Sequence, residues 1–164
     1  MTSPSPAVCV ALAPELLRRR KIGLNHIAVL WGDTERVGLA LRRGKPDEVV
    51  RGVLLVVLDE VVGMGYQLLI TEFDVNDKDL PADPSTRDVQ VAAAAKVYLD
   101  LMLSYKQLDQ VLCWGMVDKF SWLQNFSKRT DKTPQRPTPY DDNYRPKPLR
   151  DAIAAAFESA PKRN

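Results

Sequence analysis

The segment Ile70-Thr71-Glu72-Phe73-Asp74 closes an apolar run on two carboxylates. A carboxylate in that place is either a nucleophile or base at the rim of a sheet, or a rim residue in an ion pair. Strand alternation puts Asp74 on the same side as Glu72. Like charges that close repel, so one pKa should rise unless a cation or hydrogen bonds intervene. Asp74 alone reads as a loop or supporting residue. A second group is aromatic: Trp114 ends another apolar run, and Phe120, Trp122 and Phe126 follow in polar sequence. Tryptophan on a polar loop offers a flat apolar face suited to stacking on a sugar ring; the other reading is that these rings cover the rim. Asp118 and Lys119 between them are either substrate hydrogen-bonders or a structural pair. His26 is the only histidine, which excludes a multi-histidine metal site. Cys9 and Cys113 form no disulfide framework or metal-ligand spacing, and Cys113 reads as a buried small hydrophobe. No metal or organic cofactor is expected.

The elements that must position these residues follow from periodicity. Leu54, Val57, Leu58 and Val61 recur at helical spacing within Val53–Met64, and Gly63-Met64-Gly65 suits a left-handed cap. Tyr66–Asp74 reads as a strand whose centre, Leu68-Leu69-Ile70, is buried on both faces. After a polar loop, Ser85 or Thr86 is expected to cap a long helix running through Ala92–Ala95 and Tyr98–Tyr105. Gln110–Trp114 reads as a second buried strand. Gly115–Pro146 lacks periodicity, and loops of that length are uncommon in compact domains. An amphipathic helix, Lys147–Ser159, carries Leu149, Ile153 and Phe157. This order is the βαβ rhythm of a parallel sheet with right-handed crossovers. Glu72, Asp74 and Trp114 then share one rim, where parallel α/β folds bind ligands. Upstream, Ile22–Leu24 and Ile27–Trp31 each suit a strand, and Glu35–Arg43 is weakly helical.

With 164 residues, 45% hydrophobic and 27% charged, the chain is one domain with a real core. A complete (β/α)8 barrel is excluded, since that needs roughly 200 to 250 residues or more. The net charge of +2 is too small to imply a nucleic-acid or membrane surface. It is uneven: residues 1–52 hold nine basic and five acidic side chains. Arg18-Arg19-Arg20-Lys21 reads as a solvated helix end rather than a nucleic-acid patch. No apolar run reaches the roughly 18 residues of a membrane span. Ala7–Ala13 is mildly apolar, but no basic residue precedes it, so it makes no convincing signal peptide and the compartment stays unassigned.

Three blocks resemble a known family. Ile70–Val75, Trp114-Gly115-Met116-Val117-Asp118-Lys119-Phe120-Ser121-Trp122-Leu123 and Arg136–Pro148 are similar, in order and spacing, to the C-terminal third of glycoside hydrolase family 10, the endo-1,4-β-xylanases. The resemblance covers roughly residues 57–158. It implies an α/β fold, part of a TIM (β/α)8 barrel containing the last two or three β/α units. Residues 1–52 are then a poorly matched N-terminal segment and 53–160 the C-terminal part of the barrel. It implies retaining hydrolysis of β-1,4-xylosidic bonds, with Glu72 as nucleophile and Trp114 and Trp122 walling the sugar subsites. The partner is xylan or a xylo-oligosaccharide. The Arg136–Pro148 block takes no catalytic role.

Retaining glycosidases use a second carboxyl group about 5–5.5 Å from the nucleophile. The family's acid/base glutamate lies in a Trp-x-x-x-Asn-Glu-like motif, which is absent here; Glu15, Glu35, Glu48 and Glu60 lack those neighbours. Loss of a general acid slows departure of the sugar by roughly 10² to 10⁴, so this chain alone is expected to be inactive or nearly so. Gly23-Leu24-Asn25-His26 echoes the family's Gly-Leu/Met-Gln-x-His stretch with one substitution and one missing residue, and His26 is read as structural. The alternative is a non-catalytic carbohydrate-binding or degenerate barrel fragment; a small α/β interaction domain is a third reading, against which the three blocks argue. Open sheet edges also predict self-association, poor solubility or repacking of the first fifty residues.

Overall fold

The computed structural model describes residues 26–31 and 48–163. Strand β1 (His26–Trp31) matches the strand expected at Ile27–Trp31. The Arg18–Lys21 cluster, Cys9, Gly23–Asn25, the Ile22–Leu24 strand and the Glu35–Arg43 helix lie outside the described residues. Helix α1 (Glu48–Gly63) begins at Glu48 rather than Val53. It stops at the glycines as expected: Gly65 takes a φ of 86° and its N–H donates to the Val62 carbonyl. A side chain there would oppose the left-handed turn. Then follow β2 (Gln67–Phe73), α2 (Pro84–Leu103), β3 (Leu108–Val111), a 3-10 turn at Asp118–Phe120, α3 (Leu123–Phe126) and α4 (Pro148–Ser159). The sheet is parallel, in the order β1-β2-β3. Both β2 and β3 therefore end at one edge, which carries Glu72 and leads to Trp114.

Apolar side chains set how the layers meet. Leu58 and Val61 of α1, Leu68 and Ile70 of β2, Leu99 and Met102 of α2, and Leu149 of α4 share one core. Phe73 joins it by stacking on Tyr98, ring centroids 6.2 Å apart. Leu69, between two sealed residues, is only half-buried. Among the described residues helices cover one face of β2, so the centre of this strand is not buried on both faces.

Two further expectations are corrected. The α2 cap is Asp83, not Ser85 or Thr86: its Oδ2 accepts from the Thr86 N–H and the Ser85 hydroxyl, each at 2.7 Å. Pro84 has no N–H and is preset for the first helical turn, which places the cap one residue before it. The Thr86 side chain first, then the Ser85 hydroxyl and the Thr86 N–H, hold the Asp83 pKa at about 2. Nor is Gln110–Trp114 a buried strand. β3 stops at Val111, and Leu112, Cys113 and Trp114 are exposed. β3 is an edge of the described sheet, so its apolar run meets no second strand.

The aperiodic segment after β3 is tied down by polar groups. Lys147, 4% exposed, places Nζ 2.9 Å from Asp118 Oδ2 and donates to the Arg136 carbonyl at 2.8 Å. Arg136 forks onto both oxygens of Asp88 at 2.7 Å, linking the segment to α2. Thr138 Oγ1 donates to Asp118 Oδ1 at 2.8 Å. Burial raises the Asp118 pKa and the Lys147 ammonium opposes that rise. Asp118 is thus a structural residue paired with Lys147, while Lys119 lies over the Phe120 and Tyr144 rings at 5.1 and 4.5 Å. Lys147→Met keeps the aliphatic stem and strands a buried carboxylate, which costs about 3–5 kcal/mol. Urea unfolding should show that loss, and adding Asp118→Asn should restore part of it; an unchanged midpoint for Lys147→Met would refute the pairing.

Candidate active site

The end of β2 departs from a regular ladder on both sides. Toward β1, Val29 pairs with Ile70 and Trp31 with Phe73, so two steps on β1 span three on β2. Toward β3, the Leu112 N–H donates to the Ile70 carbonyl at 2.7 Å and its carbonyl accepts from the Phe73 N–H at 2.8 Å. A parallel ladder places one residue between those two bonds; here Thr71 and Glu72 both stand there. This is a β-bulge, a feature that re-aims a side chain at sheet rims. Burial follows it: Leu68, Ile70 and Phe73 are sealed, and Thr71 and Glu72 are consecutively half-buried.

The bulge decides which way Glu72 faces. Simple alternation from Leu68 and Ile70 would turn it into the helix layer. With the extra residue, Phe73 takes that place against Tyr98, and its neighbours Glu72 and Asp74 face away from the helices. Among the described residues the Glu72 carboxylate meets no hydrogen-bond or ion partner.

Both tryptophans sit at this rim, bonded by their edges. Trp114 Nε1 donates to the Thr71 carbonyl at 2.9 Å, and Trp122 Nε1 donates to Asp74 Oδ2 at 2.9 Å. Their rings lie 6.5 Å apart and tilted by 55°, and Phe126 backs Trp122 at 4.9 Å. Trp114 is 63% exposed, whereas Trp122 is half-buried. Asp74 is almost wholly buried. Its pKa is raised, and the cause is burial, opposed by the bonds from Trp122 and Trp114, rather than repulsion from Glu72. Beyond Asp74, the loop is pinned by Asp77, whose Oδ2 accepts from the Arg136 N–H at 2.9 Å and lies 3.2 Å from Arg87 Nε.

Sequence reasoning brought Glu72, Asp74 and Trp114 to one rim and the resemblance added Trp122; the four lie together at the end of β2. It missed Asp74 as the acceptor of the Trp122 N–H, and it missed the bulge. Among the described residues no group of acidic, histidine and cysteine side chains is arranged to hold a metal ion, and no helix is long and apolar enough to cross a membrane.

The family model for glycosyl hydrolase family 10 matches residues 48–156, and the chain belongs to that family. It is 34% identical over 101 residues to a thermostable celloxylanase of Thermoclostridium stercorarium, covering 56% of this chain and 25% of that protein. It is 30% identical over 104 residues to endo-1,4-beta-xylanase B of Thermotoga neapolitana, covering 62% of this chain and 28% of that protein. The chain thus spans about a quarter of the length of the curated relatives it matches. Xylanase 10B of Thermotoga maritima shares the fold, with a TM-score of 0.67 at 23% identity over 91% of this chain and 41% of that one. Xylanase 10B of Thermotoga petrophila, solved with xylobiose, has the same TM-score over 90% of this chain and 40% of that one.

Asp74 gives a signed pH dependence. Its folded pKa lies above the ordinary 3.8, so the folded chain takes up the proton more readily than the unfolded one. Its contribution to stability is therefore greatest below that ordinary value and is lost as pH rises through the folded value. Urea unfolding of the wild type and of Asp74→Asn, compared from neutral pH downward, should show the wild type gaining on the variant as pH falls. A gap moving the other way would overturn the assignment.

Proposed function

We propose that this chain is the C-terminal part of a retaining endo-1,4-β-xylanase, with Glu72 as its nucleophile. The observation that carries the reading is the bulge, which turns a strand-end glutamate out of the helix layer and onto a rim shared with two tryptophans. The architecture is the last two or three β/α units of a (β/α)8 barrel: residues 53–160 supply most of them, and β1 joins them by pairing with β2 in the same sheet. The exposed face of Trp114 and the ring of Trp122 wall the xylose subsites.

In the proposed chemistry a Glu72 carboxylate oxygen attacks the anomeric carbon, the glycosidic bond breaks, and a glycosyl ester forms. A second carboxyl group protonates the departing oxygen and later activates water. The sequence holds no residue in the family's acid/base motif, so the 164-residue chain alone carries half of the pair and does not turn over xylan at an appreciable rate. The edges left open among the described residues favour self-association. The alternative of a purely sugar-binding fragment keeps the aromatic platform and drops the role of Glu72.

An activated substrate separates the two. The leaving group of 2,4-dinitrophenyl 2-deoxy-2-fluoro-β-xylobioside departs as the phenolate and needs no proton, so the missing acid is bypassed. Mass spectrometry of the chain should find one fluoro-xylobiosyl group esterified to Glu72 and none on Glu72→Gln, while a reducing-sugar assay on xylan stays at background. Absence of the ester would sink the nucleophile assignment. Xylan turnover abolished by Glu72→Gln would instead sink the inactivity of the chain.

A further inference from the structure

The two indole edges are spent on positions that flank Glu72. Trp114 Nε1 holds the carbonyl of Thr71, the residue immediately before it, inside the bulge. Trp122 Nε1 holds the carboxylate of Asp74, two residues after it. Bonds from two neighbouring indoles, their rings 6.5 Å apart, thus bracket Glu72 on both sides along the chain. We propose that Trp114 and Trp122 are positioning residues for Glu72 as well as sugar platforms: their N–H groups fix the bulge and thereby the place of the Glu72 carboxylate. The proposal deepens the reading of Glu72 as nucleophile and rests on it.

An indole can serve both ends because its hydrogen-bonding edge and its stacking face are different surfaces. The edge of Trp114 is in use while the side chain as a whole stays 63% exposed, leaving the face open to a ligand. The bulge needs such a tie. Thr71 and Glu72 occupy the space of one ladder residue, so the ladder itself does not specify the orientation of the peptide between them. A hydrogen bond of this kind shifts a local equilibrium by about tenfold, and a misplacement of about 1 Å at a reacting group costs about 10²-fold in rate.

The test exchanges the Trp114 indole in the full 164-residue chain for its sulfur isostere, benzothiophene, which keeps ring and face and deletes only the N–H; Trp114→Phe is the second variant. Three readouts are compared with wild type: amide exchange at Phe73 and Leu112, the 13C resonance of the Glu72 carboxyl, and labelling by the activated fluoro-xylobioside. The expected result is exchange faster by about tenfold and a displaced Glu72 resonance. Labelling at saturating reagent should slow by about tenfold or more, with the half-saturating concentration unchanged within about twofold. A residue that served only as a platform would raise that concentration and leave the resonance and exchange alone, which overturns the proposal. If the wild type itself shows no ester at Glu72, the nucleophile reading fails, and exchange and resonance still decide the clamp.

Discussion

Two residues of β2 stand where each neighbouring strand has room for one, and the rest of the rim depends on that crowding. The apolar beat of the strand is two residues, Leu68 to Ile70, and then three, Ile70 to Phe73. Phe73 keeps its stacking on Tyr98 only because the chain takes up the extra residue between them. The accommodation leaves Glu72 facing away from the helices. A glutamate in the helix layer would be a buried unpaired charge; one residue of slip makes it a rim carboxylate.

Around this point the protein replaces apolar packing with buried charge. Asp74, Asp77, Asp88 and Asp118 are each sealed or nearly so, and each is met by an indole, a guanidinium, an ammonium or a backbone N–H. For Asp74, Asp77 and Asp118, burial dominates the pKa and raises it. The long aperiodic segment therefore has a fixed course without an extended helix: Lys147, Arg136 and Gln135 tie it to α2 and to the loop after β2. Such bonds contribute more to uniqueness of shape than to net stability, since desolvation offsets most of the attraction.

Much of this was legible from residue order. The alternation of apolar runs with helical periodicity announced a parallel sheet, and three motif blocks announced the family that residues 48–156 match. Glu72, Asp74 and Trp114 were expected at one rim because strand ends in parallel sheets converge, and Trp122 was added by the family resemblance. The rest was hidden for physical reasons. The bulge is visible in hindsight as the spacing of Leu68, Ile70 and Phe73, but a pattern of period two gives no warning of the change. Exposure of Leu112 and Cys113 follows from β3 being an edge of the described sheet, which no local sequence encodes. The partner of Asp118 lies far along the chain at Lys147, so the adjacent Lys119 was the only pairing that proximity in sequence offered.

The central claim is that Glu72 stands at the reducing end of a xylose unit held against Trp114. A crystal structure of the chain soaked with xylobiose tests it most directly. The account predicts a sugar ring stacked on the exposed face of Trp114, with its anomeric carbon about 3–3.5 Å from a Glu72 carboxylate oxygen. A bound sugar with Glu72 turned back among the helices, or seated away from both indoles, would contradict it.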